Sequence, residues 1–177
     1  MEERDIELKA MNVLQYCDDK SDSYVNIIGI ANKLGFVVGN VKLSDDDDGF
    51  IIVDDKDNNL FNTGSNMVIG VKEEQTDEWK RFIIAHEIGH YILHYNKEID
   101  GGIYAHRDHK KGKGQMENEA DFFAANILMP RERFSKQNSI LSEAGLSFEE
   151  RIVILAKRFG VTQIMTVRRF GELGING

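Results

Sequence analysis

"FIIAHEIGHYILH", residues 82 to 94, decides how this chain is read. At about 100° per residue, helical projection sets Phe82, Ile83, His86, His90 and Leu93 on one side and Ile84, Ala85, Ile88 and Ile92 around the rest. A helix that is apolar on nearly every face belongs in an interior. Burying an unpaired Glu87 there costs several kcal/mol, so something polar must satisfy it. His86-Glu87-Ile88-Gly89-His90 is H-E-x-x-H, and residues i and i+4 stack on one helix face, so both imidazoles can hold one Zn²⁺. Glu87, one step round, is placed to act as general base on a water that the ion acidifies. Two hydrogen-bonded core histidines are the competing reading, but they leave the carboxylate unexplained.

A catalytic zinc needs a third protein ligand. The metzincin pattern fails, because Leu93 and Asn96 stand where it requires Gly and His. Cys17 sits in an N-terminal helix without the motif of a thiolate ligand. Carboxylates remain, and "QMENEADFFAANILMP" (115–130) supplies them. Ala120, Asp121, Ala124, Ile127 and Leu128 lie within roughly 80° of Glu117, forming a small, apolar face able to pack closely on the central helix. Glu119 points roughly 160° away. Glu117 is therefore the expected third ligand and Glu119 the fallback, while Asp121 can accept the outward N–H of a liganding histidine. An ordinary salt bridge on the helix face is the alternative for Asp121.

The rest of the chain frames this site. Its 177 residues fit one domain with a small appendage, and 41% hydrophobic content supports a core. Thirty acidic against 22 basic residues give a net charge of −8, which disfavours non-specific binding to nucleic acid or anionic membranes. With Cys17 alone there is no disulfide framework. The charged start MEERDIELKA is not a signal peptide, and no apolar run is long enough for a membrane span, so a reduced, cytoplasmic compartment is expected.

Helices are predicted over about 4–16 and 24–34, the second capped by Ser23 and ended by Gly35. Three β-rich runs, 36–43, 49–54 and 66–71, read as an antiparallel meander. The acidic runs DDDDG (45–49) and DDKDNN (54–59) resemble calcium loops; the second has Leu60 and Asn66 where Gly and Glu are needed. Both read as solvated hairpin turns. Thr76 caps the central helix, which gives way to a long loop over about 96–114. Helices follow over about 115–129, stopped by Pro130, then 147–159 and 162–172 across Gly160.

Taken together, HEIGHYILH, E-x-E-A-D-x-F-A and ILMP resemble the ImmA/IrrE family of gluzincin metallopeptidases over about residues 24 to 170. The resemblance implies an α+β zincin-like metalloprotease domain with a small antiparallel sheet and an active-site helix. It also implies His86, His90 and Glu117 as zinc ligands and Glu87 as catalytic base. Family members cleave or control helix-turn-helix repressors of phages, mobile elements or stress regulons, which makes such a repressor the expected protein substrate. His94 fits the family's H-E-x-x-H-x-x-L-H pattern but is not carried over as a ligand, and plain packing is expected of it.

Weaker signals complete the reading. Tyr91 and Tyr95 are expected in the core. His106 or His109, in the basic segment HRDHKKGKG, could stabilise an oxyanion, although a solvated loop is the plainer expectation. Glycines 101, 102, 112 and 114 would let that loop move as a flap. Residues 1–145 are read as the metallopeptidase domain and 146–177 as a C-terminal helical pair with a helix-turn-helix outline. Five basic against three acidic residues over 146–174 are too few for a strong phosphate-binding patch, so packing is expected rather than DNA binding. That packing is assigned to Ile154, Leu155, Phe159, Ile164 and Val167. The competing functional class is a non-catalytic transcriptional or antitoxin-type regulator using the same fold to bind protein. A closed structural zinc site would need a fourth ligand. Nothing in the sequence sets an oligomeric state.

Overall fold

The computed structural model describes residues 1–54, 65–100, 103–109 and 114–175, and only the backbone of residues 103 and 107–109. In chain order the elements are α1 (Glu3–Tyr16), α2 (Ile27–Lys33), β1 (Val37–Val41), β2 (Asp47–Asp54), β3 (Met67–Lys72), α3 (Asp77–His94) and β4 (Ile103–His109). Then come α4 (Gln115–Leu128), α5 (Arg131–Glu143), α6 (Phe148–Phe159) and α7 (Gln163–Glu172). The chain is α+β, as expected.

The sheet has the order β1-β3-β2-β4 and is mixed. β3 pairs antiparallel with β2 but parallel with β1, Val37 opposite Val68 and Val41 opposite Lys72, so the expected antiparallel meander is corrected at β1. β2 is buried along nearly its whole length and takes a partner on each side, which drives β1 outward to an edge, where its residues are exposed or half-buried. The second correction concerns 96–114. Within it, residues 103–109 form β4, antiparallel to β2 with Ile51 opposite His106. In the acidic run 45–49, Asp45 and Asp46 form the expected exposed turn, but the rest of the run does not. Asp47 and Asp48 are buried at the start of β2, Asp47 accepting from Ser44 Oγ at 2.7 Å and Asp48 from Gln75 Nε2 at 2.7 Å. Most of DDKDNN lies outside the described residues, as do glycines 101, 102 and 112.

α3 lies across this sheet, and glycine marks the closest approach. A β-carbon at Gly49 would come within 2.3 Å of Ile83 Cγ2, so no other residue fits at that crossing. On its other side α3 packs against α4. A β-carbon at Gly89 would sit 3.1 Å from Phe123 Cδ1 and 3.2 Å from Ala120 Cα, so the glycine inside H-E-x-x-H is where the two helices draw together. Thr76 caps α3 as predicted, its hydroxyl accepting from Trp79 N–H at 3.3 Å. α2 is shorter than predicted and is capped by Asn26 rather than Ser23.

Pro130 ends α4 and opens α5, a helix absent from the sequence reading because only Phe134, Asn138 and Leu141 on it are buried. α6 starts in a capping box between Ser147 and Glu150 and ends at Gly160, whose φ of 64° suits glycine. The last two helices pack on the body through Leu155 and Phe159, both fully buried, and Phe170. The assignment fails at two residues: Ile164 is 83% exposed and Val167 48%. The stripe α7 buries is Thr166, Arg169 and Phe170 instead. Phe134 packs against Phe159 and Phe170 at centroid distances of 5.5 and 5.0 Å.

Candidate metal centre

Helical spacing sets His90 one turn after His86, and the two side chains are almost wholly buried. Their Nε2 atoms face each other at 3.0 Å. α4 brings in Glu117, whose Oε2 lies 3.2 Å from His86 Nε2 and whose Oε1 lies 3.4 Å from His90 Nε2. The potential ligand atoms of the three residues all lie within 4.8 Å of one another. Atoms held tetrahedrally about 2.0–2.1 Å from a zinc ion stand roughly 3.3–3.4 Å apart, so the donor set fits such an ion in type and spacing.

The outward nitrogens fix which way each ring donates. The Asp121 carboxylate takes the Nδ1–H of His86 on Oδ1 at 3.0 Å, which leaves the lone pair of that ring on Nε2. Arg168 of α7 approaches the other Asp121 oxygen at 3.7 Å. Burial pushes His90 down to about 4, leaving it a neutral imidazole, the form that ligates metals. Two neutral ring nitrogens and a carboxylate aimed at one point repel unless a cation or a proton lies between them. Burial works to raise the Glu117 carboxyl, but His106, donating from Nε2, together with the His86 and His90 rings outweighs it and holds it well below the usual carboxylate range.

Glu87, fully buried and about 100° round α3 from His86, lies against β2 at Gly49. From β4, His106 leans over the cluster. Its ring stacks on His90 with centroids 3.7 Å apart, its Nε2 lies 3.0 Å from Glu117 Oε1, and its Nδ1 lies 3.9 Å from Glu87 Oε2. Burial acts to lower the His106 pKa, yet the two carboxylates win and push it up to about 9. The sequence reading weighed His106 as a solvated loop residue; the alternation of half-buried Tyr104, exposed Ala105 and half-buried His106 is the signal that places it on a strand facing the site. The His109 side chain lies outside the described residues.

Glu119 does not join the cluster. It sits on the other side of α4 and meets His94 Nε2 at 3.0 Å and the amino terminus of Met1. Tyr91 and Tyr95 stack on each other at 5.3 Å, and Tyr91 meets Phe36 edge-on at 5.1 Å.

With this geometry in hand, the chain matches the Peptidase M78 family pattern, described as the IrrE N-terminal-like domain, over residues 36–170. The chain belongs to that family. No curated protein sequence matches it. The M78 match runs from Phe36, just before β1, to Phe170 in α7, so it includes the sheet, the α3–α4 clasp and most of the C-terminal helical pair. Among the described residues of this M78 chain, no helix is long and apolar enough to cross a membrane.

Proposed function

We propose that the protein is a zinc-dependent endopeptidase that hydrolyses a peptide bond in a regulatory protein, with His86, His90 and Glu117 holding the ion and Glu87 as general base. The observation that carries this reading is the convergence of two imidazole nitrogens and one carboxylate on a single point beside a second, fully buried carboxylate. A zinc ion bound there would supply Lewis-acid polarisation of the scissile carbonyl and of the attacking water. The chain's own residues do the rest. Glu87 takes the proton from the attacking water and later returns it to the departing amine. Asp121 holds the His86 ring in the ligating orientation. His106, protonated beside Glu87 and Glu117, donates a hydrogen bond to the charge that develops on the carbonyl oxygen.

The substrate we propose is a helix-turn-helix repressor of a phage or mobile element, a reading supported by the family resemblance alone, and the compartment we propose is the cytoplasm. Residues 146–177 act in this reading as a helical pair packed on the body formed by 1–145, not as a DNA reader; the burial of Leu155, Phe159 and Phe170 supports it. The test is co-expression with candidate repressors, wild type against Glu87→Gln, read by intact mass. A single new pair of fragments with wild type only is the expected result. Equal loss of repressor activity without cleavage in both strains would favour the binding-module reading.

A further inference from the structure

The two histidines of the clasp are held from outside in different ways. His86 meets a carboxylate directly, through Asp121. His90 meets another imidazole: its Nδ1 lies 3.2 Å from Nδ1 of His94, one helical turn further on. His94 in turn places Nε2 at 3.0 Å from Glu119 Oε2 on α4. Glu119 is itself fixed by Gln115 Nε2 at 2.9 Å and by the amino group of Met1.

With both rings neutral, one proton arrangement satisfies this line. Glu119 accepts, so His94 must carry its proton on Nε2 and present a lone pair at Nδ1. His90 must then donate from Nδ1, which leaves the lone pair of its Nε2 facing His86 Nε2 and Glu117. In the other tautomer His90 would point a proton at His86 Nε2 and lose its ability to ligate. We propose that His94 and Glu119 are positioning residues that lock His90 in its ligating tautomer, as Asp121 does for His86. This rests on the reading of His90 as a metal ligand. It replaces the expectation of plain packing for His94 and gives Glu119 a role that does not involve touching the ion. An apolar side chain at 94 would fill the same space between α3 and α4, yet it could not choose between the two tautomers of His90.

Two measurements on the full-length chain test the proposal. The first is zinc affinity, by competition with a chromophoric chelator. The second is the histidine tautomer in metal-free protein, from long-range ¹⁵N–¹H correlation. Wild type should show His90 protonated at Nδ1 alone. His94→Phe should mix the two tautomers of His90 and weaken zinc binding by about 10–100-fold, the usual range for losing an outer partner of a liganding histidine. Glu119→Ala should shift both readouts the same way by less, and it carries the test if His94→Phe does not fold. Unchanged tautomers in either folded variant would overturn the proposal, whether or not affinity falls, since a fall alone would mean that His94 acts by packing. If wild type binds no zinc, the ligand reading fails, while the tautomer readout still decides whether His94 and Glu119 lock His90.

Discussion

Two of the regions in which this molecule buries polar groups bury them differently. Around the C-terminal helices the buried guanidinium groups meet protein acceptors. Arg169, 1% exposed, donates to Met129 O at 3.0 Å, Asn126 Oδ1 at 2.8 Å and Glu172 Oε2 at 3.1 Å. Arg151 donates to Asn138 Oδ1 at 2.8 Å, and Arg81 ties α3 to the Gly160 turn and to Val25 through backbone carbonyls. These guanidinium groups face complementary acceptors, with Arg151 Nε the exception. In the α3–α4 clasp, His86, His90 and Glu117 instead turn ligand atoms toward one another, acceptor facing acceptor. What marks a functional site is therefore convergence of like groups on one point, rather than burial of polarity as such.

The comparison can be broken most severely by deleting 146–177. If the C-terminal pair is structural, the 1–145 fragment loses Leu155, Phe159 and Phe170, uncovers Phe134 and should aggregate or fail to fold. A soluble fragment, together with salt-sensitive DNA binding by the whole chain, would reverse the assignment. Next in size is Arg169→Leu. It removes the donor to Met129 O, Asn126 Oδ1 and Glu172 Oε2, although Glu172 keeps Arg168 on Oε1, so unfolding by denaturant should show a loss of about 3 kcal/mol, while the folded fraction binds zinc as before. Glu87→Gln probes the opposite region. It should keep the zinc and the melting temperature but cut the cleavage rate by about 10²-fold or more, a barrier increase of about 3 kcal/mol. Retained cleavage by a stable, zinc-loaded variant would remove Glu87 from the mechanism. The smallest effect belongs to Gly160→Ala. Its left-handed φ costs about 1–2 kcal/mol, and the Tyr24 ring, whose Cε2 would lie 2.6 Å from the new methyl, must move. Stability should fall with no change in metal content.

The clasp was readable in the sequence because its information is local. His86, Glu87 and His90 hold fixed helical offsets, and the small face of α4 identified Glu117 over Glu119 before any contact was known. The sheet was harder, since pairing partners are distant: nothing in Val37–Val41 announces a parallel neighbour at Met67–Lys72. β4 was hidden by its charge, and α5 by a polar sequence with few buried positions. On α7 the apolar residues Ile164 and Val167 suggested a buried face, whereas the buried stripe includes Thr166, bonded back to Thr162 O, and Arg169, whose burial depends on acceptors at Met129 and Asn126. The His94–Glu119 contact joins two helices and was equally out of reach.

The central claim is that three converging ligand atoms on α3 and α4 hold one metal ion, and metal content per chain tests it most directly. Wild type purified without chelator should carry about one equivalent of zinc, as a three-ligand site implies. Glu119→Ala should keep that stoichiometry at saturating zinc, and Glu117→Ala, His86→Ala and His90→Ala should each lose it while remaining folded. Zinc retained by Glu117→Ala and lost by Glu119→Ala would contradict the account.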